Sequence, residues 1–438
     1  MITFALLFLG LILGVHEVEI LVEGDVATVR LELDGELIGD LTAEPWRWDV
    51  DFGPALRPHK LEAIALDEQG REIDRARQLV NLPRERAEAA LLLEGHDPRQ
   101  PDSARLVWQH VEFMTAEKIA FLFDGEELPL SGPDQVELPD YDPSRLHSIE
   151  ASLRFPDGVR YQSQLNIGGQ TMFGADTELT GVTVVTRDSR LPNLRSLEGR
   201  FLSGGEPLRV VGVEKAPARI AMVVDQTALP ALRKMGEYGG NLTNSQTALR
   251  PGEQLVFLFP EVKKIEGRGI PARLFAMTQT FTAEDGGSIP WILTRIAPPS
   301  QEPSPYRRIS DALAVAGVQA AMGNRPRALV LVLGTKLQDT SAYDIGEVRR
   351  FLEDLSVPLF VWWTGHPSTE LISESDRTLT RQTPWGRADD IATFNRFVQA
   401  TEKIRIELDR QLTVWIEGSY LPHTIELAKG VRGIKLAG

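Results

Sequence analysis

Five apolar residues in unbroken succession, Ile220 to Val224, end at an acid, Asp225, and this run constrains the fold more than any other part of the chain. A strand that is apolar at every position is buried on both faces, which points to a parallel sheet covered by helices on either side. Asp225 then falls at the carboxyl end of that strand, where open α/β sheets place their ligand crevice. Upstream of this point the pattern is that of short β units. Downstream it becomes a strand–helix alternation.

The alternation is carried by Gln254–Phe259, Ala272–Met277, Ala328–Leu333 and Pro358–Trp363 as strands. Helices are predicted over about Arg308–Met322, over a segment begun by an Asp344/Glu347 capping box, and over about Asp389–Arg410, whose Phe394, Phe397, Thr401, Ile404 and Leu408 recur at helical spacing. Strands in turn with helices of this length predict a doubly wound, Rossmann-like α/β domain over residues 216–438. The stretch from Gly365 to Ala388 is polar and turn-rich, too long for an ordinary connection.

The first part of the chain repeats itself. Val29-Arg-Leu-Glu-Leu-Asp34-Gly35-Glu36 is matched by Ile119-Ala-Phe-Leu-Phe-Asp124-Gly125-Glu126, and Arg57-Pro-His59 by Arg145-Leu-His147. Alternating strands joined by Asp-Gly turns, at the size of one immunoglobulin-like unit, predict two β domains at 15–83 and 84–168. Two histidines in equivalent places invite a metal reading, but no further ligand is placed beside them, and a structural role at a strand start is the expectation. Residues 169–215, with a Gly204-Gly205 turn, are expected to form a β adaptor hairpin.

Charge and composition exclude several classes of function. The chain has 438 residues, 47 Lys and Arg against 62 Asp and Glu, and a net charge of −15, which disfavours nucleic acid and anionic membrane surfaces as partners. It has no cysteine, so disulfides, thiolate zinc sites, cysteine nucleophiles and iron–sulfur clusters are all excluded. Ile2 to Gly14 is an apolar run broken only by Thr3, too short for a bilayer-spanning helix and suited to the hydrophobic region of a signal peptide. Export to the periplasm, cell envelope or medium is therefore expected, with membrane attachment only through this segment as an anchor. The alternative is a buried strand of the first β domain.

An apolar strand ending in Asp225-Gln-Thr227, an Ala-rich helix and two more buried strands resemble a von Willebrand factor A domain. From Val15 onward the chain resembles the exported bacterial proteins related to that domain, known best from acidobacteria. Its Trp46-Arg-Trp48-Asp-Val50-Asp51 stretch and Asp-Gly turns, and the later Glu417-Gly-Ser-Tyr420 and Val431-Arg-Gly433, match that pattern. The fold class implied is multidomain, with N-terminal immunoglobulin-like β units followed by an α/β doubly wound von Willebrand factor A-type domain. The resemblance also implies a divalent-metal site built on Asp-x-Ser-x-Ser, a distant Thr and a distant Asp. Here Asp225 and Thr227 keep two positions, while Leu229, Arg307 and Gly334 stand at the other three, and Asp339 is the first candidate for a displaced acid. With two oxygen ligands left, the metal set is vestigial and no metal or other cofactor is expected.

No serine-hydrolase elbow, zincin helix, phosphate loop or dinucleotide fingerprint is present. His366, Ser375 and Asp376 share the long 365–388 loop, from which a hydrolase triad can be imagined. The expected function is a non-enzymatic, extracytoplasmic protein-binding or scaffold role, with Asp225, Thr227, Trp363 and His366 as candidate partner-binding residues. A Mg²⁺-dependent adhesion module and a hydrolase using the 365–388 loop are the alternatives.

Overall fold

The computed structural model describes residues 2–5, 10–22, 26–83, 87–94, 101–110, 115–142, 147–155, 160–167, 179–187, 192–238, 247–264, 273–283, 287–297, 307–334, 338–365, 380–431 and 433–437. They divide into two units, one of 84–177 and one of 1–83 together with 178–438.

The smaller unit is a β sandwich. One sheet runs Glu126–Leu128, Lys118–Phe123, His147–Arg154, Arg160–Ile167 and the other Gln135–Glu137, Ser103–His110, Ala87–Glu94, all pairs antiparallel. Period-two alternation puts Phe121, Ile149, Ala151 and Leu153 on the inner face, where they meet Ala104 and Leu106.

The larger unit opens with a second sandwich, of Ile2–Phe4, Val15–Val22 and Arg47–Asp51 against Glu36–Leu41, Thr28–Leu33, His59–Leu66 and Glu72–Val80. Ile2, Phe4 and Ile12, read from the sequence as part of an export segment, are buried in its core with Val18, Ile20 and Val29. Asn81 fixes Ile12 by accepting from its N–H and donating to its carbonyl, both at 2.7 Å. The same device closes one hairpin in each unit. Asp34 and Gly35 have φ of 56° and 85°, Asp124 and Gly125 of 50° and 87°, the left-handed pair that a two-residue turn requires. Each Asp then accepts from a histidine Nδ1 at 2.7 Å, His59 in one unit and His147 in the other, and from the next backbone N–H at 2.8 Å. The paired histidines are turn locks.

A third sandwich is assembled from the two ends of the chain's second half. Leu179–Thr186 pairs antiparallel with Gln411–Glu417, which pairs in turn with Val210–Glu214. Phe201–Ser203 pairs with Ile425–Leu427 and with Glu206–Pro207 in the facing sheet. Val184, Phe201, Leu412, Val414 and Ile416 fill the space between the sheets. The C-terminal strands, expected to belong to the α/β domain, thus complete a sandwich with the presumed adaptor.

Between those ends lies a mixed sheet ordered Arg273–Met277, Gln254–Lys264, Arg219–Val224, Arg327–Leu333, Leu359–Trp363, Gly386–Asp390, Thr380–Thr383. The inner five strands are parallel and the two edge strands antiparallel to their neighbours. One face packs on α1 (Leu229–Tyr238), α2 (Ile289–Arg295) and α5 (Phe394–Arg410), the other on α3 (Ile309–Ala321) and α4 (Ile345–Asp354). Ile220, Met222 and Val224 point to the first face, Ala221 and Val223 to the second.

The expected fold class is corrected by these elements. Strand residues outnumber helical ones by more than two to one, so the protein is a predominantly β chain and not one defined by a helix-rich, doubly wound α/β domain of the von Willebrand factor A type. An apolar run cannot by itself tell a parallel strand from a sandwich strand, so Gln411–Glu417, inside the expected 216–438 domain, is placed in the third sandwich only by its pairing with Leu179–Thr186. The helix predicted from Asp389 starts later, at Phe394, because Gly386–Asp390 joins the sheet beside Leu359–Trp363. Thr380–Thr383 and Gly386–Asp390 likewise form a sheet hairpin with Trp385 buried behind it, where a continuous polar loop was expected.

Candidate functional site

The carboxyl end of the central strand turns sharply. Asp225 keeps extended backbone (φ −64°, ψ 121°), and its side chain accepts from Thr227 N at 3.0 Å, starting a 3₁₀ turn over Gln226–Ala228 that leads into α1. An acid at this point is a local choice, since its carboxylate satisfies a helix-start N–H.

The rest of its environment comes from afar. Arg307, in the segment before α3, donates from one Nη1 to both Asp225 oxygens, at 3.1 and 3.3 Å. Asp225 Oδ2 also accepts from Thr227 Oγ1 at 2.6 Å and from Gly334 N at 3.3 Å. Asp225 is fully buried and Arg307 2% exposed. Arg307 is itself held by its backbone, which bridges Glu261 and accepts from Thr340 N at 2.7 Å. Gly334 has to be glycine here: a Cβ would stand 2.1 Å from Thr227 Oγ1 and 2.4 Å from the Thr227 backbone. The carboxyl edge is therefore closed from inside, with every Asp225 acceptor direction used.

Other sequence candidates fall elsewhere. Leu229, at the third position of the expected ligand pattern, is buried in the core cluster beneath α1. Asp339 gives its oxygens to the first turn of α3, accepting from Ile309 N at 2.9 Å and from the Ser310 and Ser341 hydroxyls, both at 2.6 Å. It is a helix cap. Trp363 is half-buried and donates its indole N–H to the Gly334 carbonyl at 3.2 Å, so its polar atom is turned into the protein. Glu347, read as half of a capping box, instead accepts from Leu56 N of the first sandwich at 2.8 Å, while Asp344 caps α4 alone. His366, Ser375 and Asp376 lie outside the described residues. Among the described residues no group of three or more His, Asp or Glu side chains converges as metal ligands.

Sequence reasoning missed Glu261. It sits in Gln254–Lys264, the strand beside Arg219–Val224, 5% exposed and close to the Asp225–Arg307 pair. Neither carboxylate oxygen meets a donor at bonding geometry among the described residues. Burial and the nearby Asp225 charge push its pKa up to about 7. Arg307 and the backbone amides of Glu261 and Gln226 offset only part of this. The signal was available, because Glu261 breaks an otherwise apolar strand at Phe259-Pro260-Glu261, but a strand-end acid is too common to single out.

No family model matches this chain, and no curated protein does. Among solved structures, the fibronectin(III)-like modules of Clostridium thermocellum CbhA align at 16% identity and a TM-score of 0.16, over 39% of this chain and 94% of that one. The central fibronectin-III array of RIM-binding protein aligns at 10% identity and 0.21, over 44% and 80%. Proximal thread matrix protein 1 from the mussel byssus aligns at 12% identity and 0.27, over 44% and 48%. At such scores none carries an argument about fold or activity. The protein is defined by its own architecture: immunoglobulin-like β sandwiches, one of them split around a mixed sheet with a sealed carboxyl edge.

Proposed function

We propose that this chain is a non-enzymatic binding or scaffold protein, exported from the cell, whose partner is another protein. The observation that carries the reading is the complete internal satisfaction of Asp225. A carboxylate that accepts from Thr227 N, Thr227 Oγ1, Gly334 N and Arg307 has no lone pair free for a substrate proton or a cation. Trp363 likewise turns its polar atom inward, to the Gly334 carbonyl. Two of the chain's own β sandwiches repeat one plan, the economy of a modular scaffold.

Thermal melts of the full chain with Mg²⁺ or Mn²⁺ against chelator test this directly. An intact divalent site with a dissociation constant of ~10 μM would stabilise by about 2.7 kcal/mol at ~1 mM ion. The reading requires superimposable melts. A rise of several degrees that disappears in Asp225→Ala would refute it and return the edge to a metal-dependent role.

A further inference from the structure

Arg327 is the first residue of the strand Arg327–Leu333 and is 4% exposed. Its side chain makes three hydrogen bonds, from Nε to Arg325 O at 3.1 Å, from Nη1 to Leu355 O at 3.3 Å and from Nη2 to Thr183 Oγ1 at 2.6 Å. All three acceptors are neutral. No carboxylate pairs with it among the described residues, and burial alone, with no acidic neighbour, pushes its pKa down to about 10. It stays charged at neutral pH. A guanidinium has five N–H donors, so two remain unspent. Taking an unpaired cation out of water is among the costliest things a fold can do, and such groups are normally paired.

The same side chain lines a cavity of about 50 Å³ where the three parts of the larger unit meet. Leu82 comes from the first sandwich, Thr183 and Pro422 from the split sandwich, and Ala321, Asn324 and Ser356 from the mixed-sheet region. Besides Arg327 and the Thr183 hydroxyl that accepts from it, the wall offers the Asn324 amide, on an exposed residue, and the Ser356 hydroxyl, neither of which has a side-chain hydrogen bond among the described residues. Space of this size holds a few water-sized bodies, at roughly 10–15 Å³ each. The neighbouring parallel strand begins with a second cation, the half-buried Arg219, which pairs with Arg327 in register and has no carboxylate partner among the described residues. This end of the sheet is positive in a chain whose net charge is −15.

We propose that the cavity is a binding site for one small monovalent anion of the halide class, held by the two free N–H groups of Arg327 and by the Asn324 and Ser356 donors. The bound ion supplies the missing counter-charge and ties the two sandwiches to the mixed sheet. Six apolar residues in the wall, Leu82, Pro83, Val182, Ala321, Leu355 and Pro422, favour a weakly hydrated monovalent anion over a divalent one. Because the protein is acidic overall, non-specific anion adsorption is weak and a saturable halide effect reports a site.

The test is a set of thermal melts of the full chain in sodium chloride, bromide or gluconate at one ionic strength of about 0.2 M. Chloride and bromide should raise the melting temperature by a few degrees over gluconate, saturating with halide concentration. Arg327→Met should abolish the difference. Should that variant not fold, Ala321→Val fills the cavity from the end of α3, and it should fold and lose the halide response. Crystals soaked in bromide should show an anomalous peak beside Arg327. Melts that coincide in halide and gluconate, or a bromide-soaked crystal with no peak in the cavity, would overturn the assignment.

Discussion

Glu261→Gln should make the protein more stable, and only on the alkaline side. The carboxyl group of Glu261 is 5% exposed, lies close to the Asp225 charge and finds no donor at bonding geometry among the described residues. Its pKa accordingly rises from 4.5 to about 7 on folding. Between those values the folded protein keeps a proton that the unfolded chain releases, so stability falls as pH rises through that window. Below the window the group is protonated in both states and costs nothing. Above it the full penalty applies, on the order of 3 kcal/mol at ~1.36 kcal/mol per pKa unit. Glutamine keeps the shape and removes the titration. Urea unfolding followed by tryptophan fluorescence should thus give midpoints within error of each other at about pH 4, and a midpoint for the variant raised by up to about 3 kcal/mol equivalent at about pH 8. Trp362, on the strand Leu359–Trp363, is fully buried and reports on the same sheet. An equal effect of the substitution at both pH values would refute the reasoning. A loss of stability at the higher pH would do so too, since it would mean that Glu261 serves there as a charged partner of Arg307.

The buried pair gives an asymmetric outcome. Arg307→Met leaves Asp225 and Glu261 facing each other without a cation and should cost about 3–5 kcal/mol, whereas Asp225→Asn leaves Arg307 with Glu261 as substitute and should cost less, as urea midpoints of the two variants would show. At the amino end, Phe4→Ala should cost about 3 kcal/mol through the cavity left in the first sandwich. A chain lacking residues 1–14 that unfolds at the same midpoint as the full chain would show that the Ile2–Phe4 strand contributes nothing.

How far the site was legible depends on which neighbour is meant. Asp225 and Thr227 make a local turn, and local chemistry is what a sequence displays: an acid at the end of an apolar strand, followed two residues later by a hydroxyl. Placing Arg307 near that edge required a resemblance to a known pattern. Its role as direct counter-ion, across 82 residues, came only with the coordinates. Glu261 is marked locally only as an acid breaking an apolar strand, and its burial beside Asp225 depends on an adjoining strand remote in sequence.

Legible in the sequence were the buried strands, from runs with no polar face, and the internal repeat, from Asp-Gly turns that need left-handed backbone and from histidines in equivalent places. The apolar face of α5, with Phe397, Thr401, Ile404 and Leu408, was legible in the same way. The tertiary structure alone decided that Leu179–Thr186 pairs with Gln411–Glu417, that Gly386–Asp390 enters the sheet instead of starting α5, and that Glu347 reaches Leu56 instead of capping its own helix. The physical reason is the range of the forces involved. Periodicity and turn preferences act within a few residues and are written into each segment. Strand partners and buried charges, however, are chosen by whichever distant surface completes the hydrogen bonds once the chain has closed its long loops, and no single segment encodes that choice.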